Sequence, residues 1–144
     1  MSEPSASVVS ARCYCGVVAL RSEAAVQGVV HCHCSQCRRL SGAAFTTWVS
    51  LPKQAVHLSG TQSLVAFNAT ANVMRHFCKV YGSHVFTADQ RYPKVLGVPA
   101  GIIESPLSLE PKAHYFVSHK AAWHTISDGL PQFGGESGVE PTAA

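Results

Sequence analysis

Cys32-His33-Cys34-Ser35-Gln36-Cys37-Arg38-Arg39 lies between two runs of strand-forming residues, Val29 to Cys32 before it and Phe45 to Leu51 after it. The order is a β run, a cysteine turn and a second β run, and only Gln36 to Leu40 admits a helical turn. Outward from this stretch the chain repeats the β part of the pattern. Short alternating or β-branched runs recur at Val17 to Leu20, Val56 to Leu58, Leu64 to Phe67, Val73 to Phe77, Val85 to Thr87, Gly101 to Ile103 and His114 to Val117. With 11 Gly and 8 Pro as punctuation and no apolar stripe of helical period over a dozen residues, the sequence predicts a mainly β fold of short antiparallel strands.

The 144 residues bound one domain, since a chain of this size buries about two-thirds of its unfolded surface around a single core. Composition divides it into a flexible N-terminus over residues 1–10, a body over 11–133 and a flexible tail over 134–144, both ends being rich in Ser, Gly, Glu, Pro and Ala. Only 13% of the residues are charged, against roughly 25% in an average soluble domain, which leaves room for a homodimer interface. The net charge of +3 is spread without a basic face beyond Arg38-Arg39, which argues against nucleic acid as a partner. No apolar run approaches the ~18 residues of a membrane span, and Met1 to Ser7 lacks the basic start and apolar stretch of a signal peptide. The expected location is the cytoplasm. In that reducing compartment six cysteines and eight histidines favour metal or catalysis over a disulfide framework.

Three thiols in six residues at Cys32, Cys34 and Cys37 are most of a tetrahedral zinc site, whose Zn–S bonds are near 2.3 Å. Two other readings stand beside it: redox thiols, although Cys34 and Cys37 lack the strand-to-helix context of a thioredoxin-like motif, and inert buried cysteines. No fourth ligand follows Cys37, so the zinc reading leaves an open position. Three thiolates give the centre a net negative charge and make it a weak generator of hydroxide. The ligand expected there is a small thiol held as its thiolate. Cys13, Cys15 and Cys78 form a second group if the fold joins them. Position 81 is a tyrosine, so the fourth place falls to water, Tyr81 or a histidine, with His76 and His84 as candidates; the other reading is a cluster of packed thiols.

The remaining candidates each carry two readings. Arg38 and Arg39 suit a carboxylate-bearing ligand or simply offset the anionic centre. Thr46, Thr47 and Trp48 wall a pocket or fill an ordinary sheet. His33, between two proposed ligands, points away from them on an extended backbone into a supporting or surface role, or is itself a ligand. Trp123 covers the site or packs with His124, Asp128 is a turn residue or an acid or base, and Glu104 is a surface carboxylate or a general base.

Cys13-Tyr14-Cys15-Gly16, the Cys32 to Arg39 stretch with Ser41-Gly42-Ala43-Ala44-Phe45, Phe77-Cys78 with Gly82-Ser83-His84, Ala100 to Glu104, His114 to Val117, Lys120 to His124 and Asp128 to Phe133 together resemble the glutathione-dependent formaldehyde-activating enzyme family, which includes the centromere-protein-V-like proteins. The resemblance runs from about residue 11 to 133. It implies a β-tent fold of short antiparallel sheets, a catalytic zinc on Cys32, Cys34 and Cys37, and a structural zinc for which Cys13, Cys15 and Cys78 are three of four ligands. Tyr81 stands where the family has the fourth cysteine. The implied activity is that of a zinc-dependent carbon-sulfur lyase, resembling S-(hydroxymethyl)glutathione synthase, with glutathione or its adduct as the small thiol and Arg38, Arg39, Thr47 and Trp48 around it. The rival reading is a non-catalytic zinc-stabilised binding module for a protein or nucleic acid.

Overall fold

The computed structural model describes residues 9–142. They form two compact units: Val49–Leu109 with the residues up to Gln27, and Gly28–Trp48 with the residues from Glu110 onward.

The first unit is built of β1 (Val9–Arg12), β2 (Ala19–Ser22), β5 (Val56–Ser59), β6 (Leu64–Asn68), β7 (Val73–Cys78), β8 (His84–Asp89) and β9 (Val95–Pro99). β1, β2 and β5 pair antiparallel with Ala11 opposite Leu20 and Leu20 opposite Leu58. β9, β8, β7 and β6 pair antiparallel in that order, with an irregularity in β7 between His76 and Phe77. Alternation explains the register, because side chains two apart share a face. Val9 and Ala11 in β1, Leu20 and Ser22 in β2, and Leu96 and Val98 in β9 are all buried. Val18, Val49, Leu51, Val85 and Phe86 complete the apolar interior, each aliphatic worth about 1.5–3 kcal/mol in removal from water.

The second unit holds β3 (Gly28–Cys32), α1 (Ser35–Ser41), β10 (His114–Tyr115), β11 (Phe133–Gly134) and β12 (Glu140–Pro141); β4 (Thr46–Pro52) begins in it and continues into the first. β3 and β10 pair in parallel, His31 opposite His114. Val29, Cys37, Ala113 and Ala121 are buried here together with two histidines, His33 and His114. Polar rings therefore occupy the interior that aliphatic side chains fill in the first unit.

The architecture is mainly β with short sheets, in keeping with the β-tent expectation, and α1 matches the helical turn read at Gln36 to Leu40. Four details depart from the sequence reading. Gly101 to Ile103 is a 3-10 turn (Ala100–Ile102) with Ile103 bridged singly to Ala11, because Pro99 and Gly101 break the ladder. β9 was hidden by its Gly97 and Pro99. The pairing of β3 with β10 is parallel, not antiparallel. From 134 onward, where composition suggested a frayed end, β11 pairs with β12 and Phe116 N–H donates to Gly138 O. The expected flexible N-terminus lies outside the described residues apart from Val9 and Ser10, which begin β1; residues 143–144 also lie outside them.

Candidate metal centre

β3 delivers Cys32 at its last residue, and α1 starts three positions on. Between them Cys34 is the N-cap, extended at φ −61° and ψ 153°, and its Sγ accepts the Cys37 N–H at 3.2 Å. A helix start needs such an acceptor for its unpaired amides, and a thiol in that role turns inward beside the next residue one turn along. The three sulfurs consequently lie within 4.8 Å of one another. Cys37 is buried, while Cys32 and Cys34 are partly exposed. The carbonyl of Cys37 accepts from Ser41 Oγ (2.7 Å) and Thr46 Oγ1 (3.1 Å), and the Trp48 indole N–H donates to Cys37 Sγ at 3.5 Å. Hydrogen bonding with Cys34 and Cys37 and burial raise the Cys32 thiol above its ordinary range. Cys34 is raised as well, the lowering by Cys32 being outweighed by Cys37 and burial. Three thiols this close cannot all ionise unless a cation neutralises them. Tetrahedral Zn²⁺ with 2.3 Å bonds sets sulfurs about 3.8 Å apart, which this spacing accommodates.

The second cluster is assembled by topology. Cys13 N–H donates to Val18 O (3.0 Å) and Gly16 N–H to Cys13 O (3.0 Å), closing a tight turn that holds Cys15 Sγ 3.4 Å from Cys13 Sγ. Cys78 ends β7, is held by Ser83 O (2.8 Å), and lies with its sulfur 3.6 Å from Cys15 Sγ. Burial opposes the Cys13 thiolate, but the Val18 amide, the thiols of Cys15 and Cys78 and the Gly16 amide outweigh it and lower Cys13 to about 7. Among the described residues no His, Asp or Glu joins these sulfurs within the same span. Tyr81 is 68% exposed and packs edge-on against Tyr14, with ring centroids 5.6 Å apart. His76 stacks on Phe86 and His84 faces Phe67, so neither histidine takes the missing place.

The sequence profile described as glutathione-dependent formaldehyde-activating enzyme matches residues 8–119. The chain belongs to that family. Both cysteine clusters fall inside the matched span, and membership ties the chain to glutathione and formaldehyde as the chemistry for which the family is described. Among solved structures, a Rhodobacter sphaeroides protein determined as a structural genomics target is similar in fold, with a TM-score of 0.57 at 20% identity over 71% of this chain and 91% of that one. No curated protein matches the chain.

Around the family's cysteine turn, the other sequence candidates separate into those the fold gathers and those it does not. Arg38 Nε donates to His119 O at 3.1 Å, and Arg39 is exposed. Thr47 Oγ1 meets His31 Nδ1 at 2.7 Å, so it supports a histidine within its unit. Trp123 is 74% exposed and set edge-on to His124. Glu104 is paired with Arg12 at 2.8 Å on the surface of the first unit. His33 is fully buried, and its Nε2 lies 2.8 Å from His114 Nδ1, whose Nε2 lies 2.8 Å from Asp128 Oδ2. Burial, followed by the neighbouring His114, His124, His31 and Lys120, lowers His33 to about 4. Sequence reasoning placed His114 on a strand and within a stretch that carries the resemblance, with no role of its own. The signal it lacked is the two-residue parallel pairing that sets β10 beside β3. No helix of the described residues is long and apolar enough to cross a membrane.

Proposed function

We propose that the chain is a zinc-dependent carbon-sulfur lyase acting on a thiol–carbonyl adduct, as in the addition of glutathione to formaldehyde and its reversal. The observation that supports this most directly is the convergence of Cys32, Cys34 and Cys37 at a helix start in a chain of this family. In the forward direction a thiol sulfur bonds to the carbonyl carbon, the C=O π bond opens, and the thiol proton ends on the new hydroxyl. In reverse the C–S bond breaks and the hydroxyl proton returns to sulfur. Bound to the three cysteines, zinc would supply a position that keeps a substrate thiol deprotonated near neutral pH.

The protein's own groups have separable tasks. Cys34 serves both as donor and as helix cap, which fixes its sulfur relative to Cys37. The Trp48 indole N–H withdraws charge from Cys37 and its ring contributes a wall there, whereas Thr47, adjacent on β4 and facing the other way, holds His31. Arg39, exposed one position after Arg38 is committed to His119, is the guanidinium available for a substrate carboxylate. No disulfide joins any of the six cysteines, which leaves both triads open to a metal.

The test is zinc content by elemental analysis together with exchange between glutathione, formaldehyde and their adduct by NMR, for the natural chain and Cys34→Ala. The expected result is zinc bound and exchange accelerated, with both the acceleration and one equivalent of zinc lost in the variant. Unchanged acceleration in Cys34→Ala would refute the assignment. Zinc bound by the natural chain with no acceleration would leave the zinc-stabilised binding module.

A further inference from the structure

A third cluster of ligating atoms lies outside both cysteine groups. His31, His114 and Asp128 each place one ligand atom within 4.8 Å of the others. Parallel pairing of β3 and β10 sets His31 opposite His114, and Asp128 Oδ2 reaches His114 Nε2 at 2.8 Å. The carboxylate is fixed on its other side, since Oδ1 accepts the Leu130 N–H at 3.0 Å. Each imidazole also has a nitrogen already engaged elsewhere. His31 Nδ1 meets Thr47 Oγ1 at 2.7 Å, and His114 Nδ1 meets His33 Nε2 at 2.8 Å. Metal-binding histidines are oriented in this way, with one ring nitrogen held by a partner and the other left for the ion. The His114 side chain is 2% exposed and that of Asp128 44%, which gives an entry path past the carboxylate.

We propose that His31, His114 and Asp128 form a cation site for a first-row divalent ion that favours imidazole and carboxylate, such as zinc or cobalt(II), with its remaining positions open to water. Ion–ligand bonds of about 2.0–2.2 Å put ligand atoms roughly 3.0–3.4 Å apart. The His114–Asp128 contact then opens by about half an ångström and His31 closes by side-chain rotation.

The site is coupled to the cysteine turn through tautomers. Without an ion, Asp128 is an acceptor only, so with one proton on each ring His114 donates from Nε2 and accepts at Nδ1 from His33 Nε2–H, leaving His33 Nδ1 bare. That atom is buried and has no hydrogen-bond partner. An ion on His114 Nε2 displaces its proton, Nδ1 becomes the donor to His33 Nε2, and the second ring carries its proton on Nδ1. The proton count is unchanged while the direction of the chain reverses, one residue from Cys32 and one from Cys34.

The experiment adds cobalt(II) to full-length protein already loaded with zinc and labelled with 15N at histidine. The expected result is a further equivalent bound without sulfur-to-cobalt charge-transfer absorption, with the His31 and His114 ring signals broadened. Added zinc, as the diamagnetic arm, should switch His33 Nδ1 from bare to protonated. Asp128→Ala should weaken cobalt binding at least tenfold, and Thr47→Val by about 10–100-fold as loss of an orienting partner. Sharp His31 and His114 signals in excess cobalt overturn the proposal, as does undiminished binding by Asp128→Ala. Cobalt appearing only with sulfur charge-transfer bands also overturns it. None of these readouts depends on lyase activity, so the two proposals fail separately.

Discussion

Gly60→Ala tests how tightly the fold is tied to the Cys13 turn. Gly60 sits at φ +71°, and a Cβ there would lie 1.8 Å from the Val17 carbonyl oxygen, 2.8 Å from its carbon and 3.2 Å from Val18 Cα. The left-handed conformation alone costs an alanine about 1–2 kcal/mol. Relieving the contact moves backbone by roughly 1.4 Å to regain van der Waals distance, next to the Ala19–Ser59 pairing of β2 and β5. Losing one or two ladder hydrogen bonds adds about 1 kcal/mol each. The sum is about 2–4 kcal/mol, or a fall in Tm of roughly 4–16 °C for a chain this size. Val18 also donates to Cys13 Sγ at 3.4 Å and accepts from the Cys13 amide. A displacement of this size exceeds the ~0.2 Å tolerance of metal–ligand bonds, so metal on Cys13, Cys15 and Cys78 should be lost to a chelator at least tenfold more readily. Gly42→Ala is the control, because Gly42 caps α1 at φ +69° with nothing within 4 Å of its would-be Cβ, and it should lose only about 1–2 kcal/mol. Urea unfolding of the two metal-loaded variants decides the matter. Equal destabilisation by Gly60→Ala and Gly42→Ala would refute the reasoning.

Other substitutions probe the remaining parts. Tyr81→Cys should restore a fourth sulfur and raise metal retention at the Cys13 cluster at least tenfold in chelator competition; unchanged retention would place residue 81 out of reach. His33→Ala removes a fully buried ring and strips His114 Nδ1 of its partner, a loss of about 3 kcal/mol by urea unfolding, and a loss under 1 kcal/mol would contradict the packing described. Asp89 is held below the ordinary carboxylate range by Arg91, which donates from Nε and Nη2 at 3.0 and 2.8 Å. A lowered folded-state pKa gives stability that is present above the unfolded value and lost as pH falls through the folded one. Arg91→Ala should therefore flatten the acid side of the stability profile and leave its neutral-to-basic side parallel to the natural chain, as denaturation midpoints across pH would show.

The parts of the molecule legible in sequence are those whose information is local. Cys32, Cys34 and Cys37 converge because a strand end, a cap and a first helical turn are set within six residues, and β5 to β8 follow from alternation. β9 was obscured because Gly97 and Pro99 are poor strand residues that only a neighbouring strand stabilises. The meeting of Cys78 with Cys13 and Cys15 carries no local signal, and it was the family resemblance that put them together. The His33–His114–Asp128 chain was missed for a related reason. His114 and Asp128 are ordinary strand and turn residues until the short β10 aligns beside β3, and burial of a histidine in place of an aliphatic leaves no trace in periodicity.

This contrast in range has an energetic consequence for the two cysteine clusters. Cys15 and Cys78 are 63 positions apart, Cys34 and Cys37 only 3. Closing the longer loop in the unfolded chain costs about 2.7 kcal/mol more, from a chain entropy that scales as (3/2)RT ln n. A cation held by Cys13, Cys15 and Cys78 therefore staples the first unit as a long-range disulfide would, whereas one held by Cys32, Cys34 and Cys37 restrains a turn that is already local. Removing metal from the first cluster should lower global stability, and removing it from the second should cost activity with little change in folding. Cys78→Ser and Cys37→Ser separate the two in paired unfolding and adduct-exchange measurements. Cys78→Ser is expected to lose at least 2 kcal/mol more than Cys37→Ser while retaining more of the exchange acceleration. The reverse order would mean that the local cluster, not the long-range one, holds the fold together.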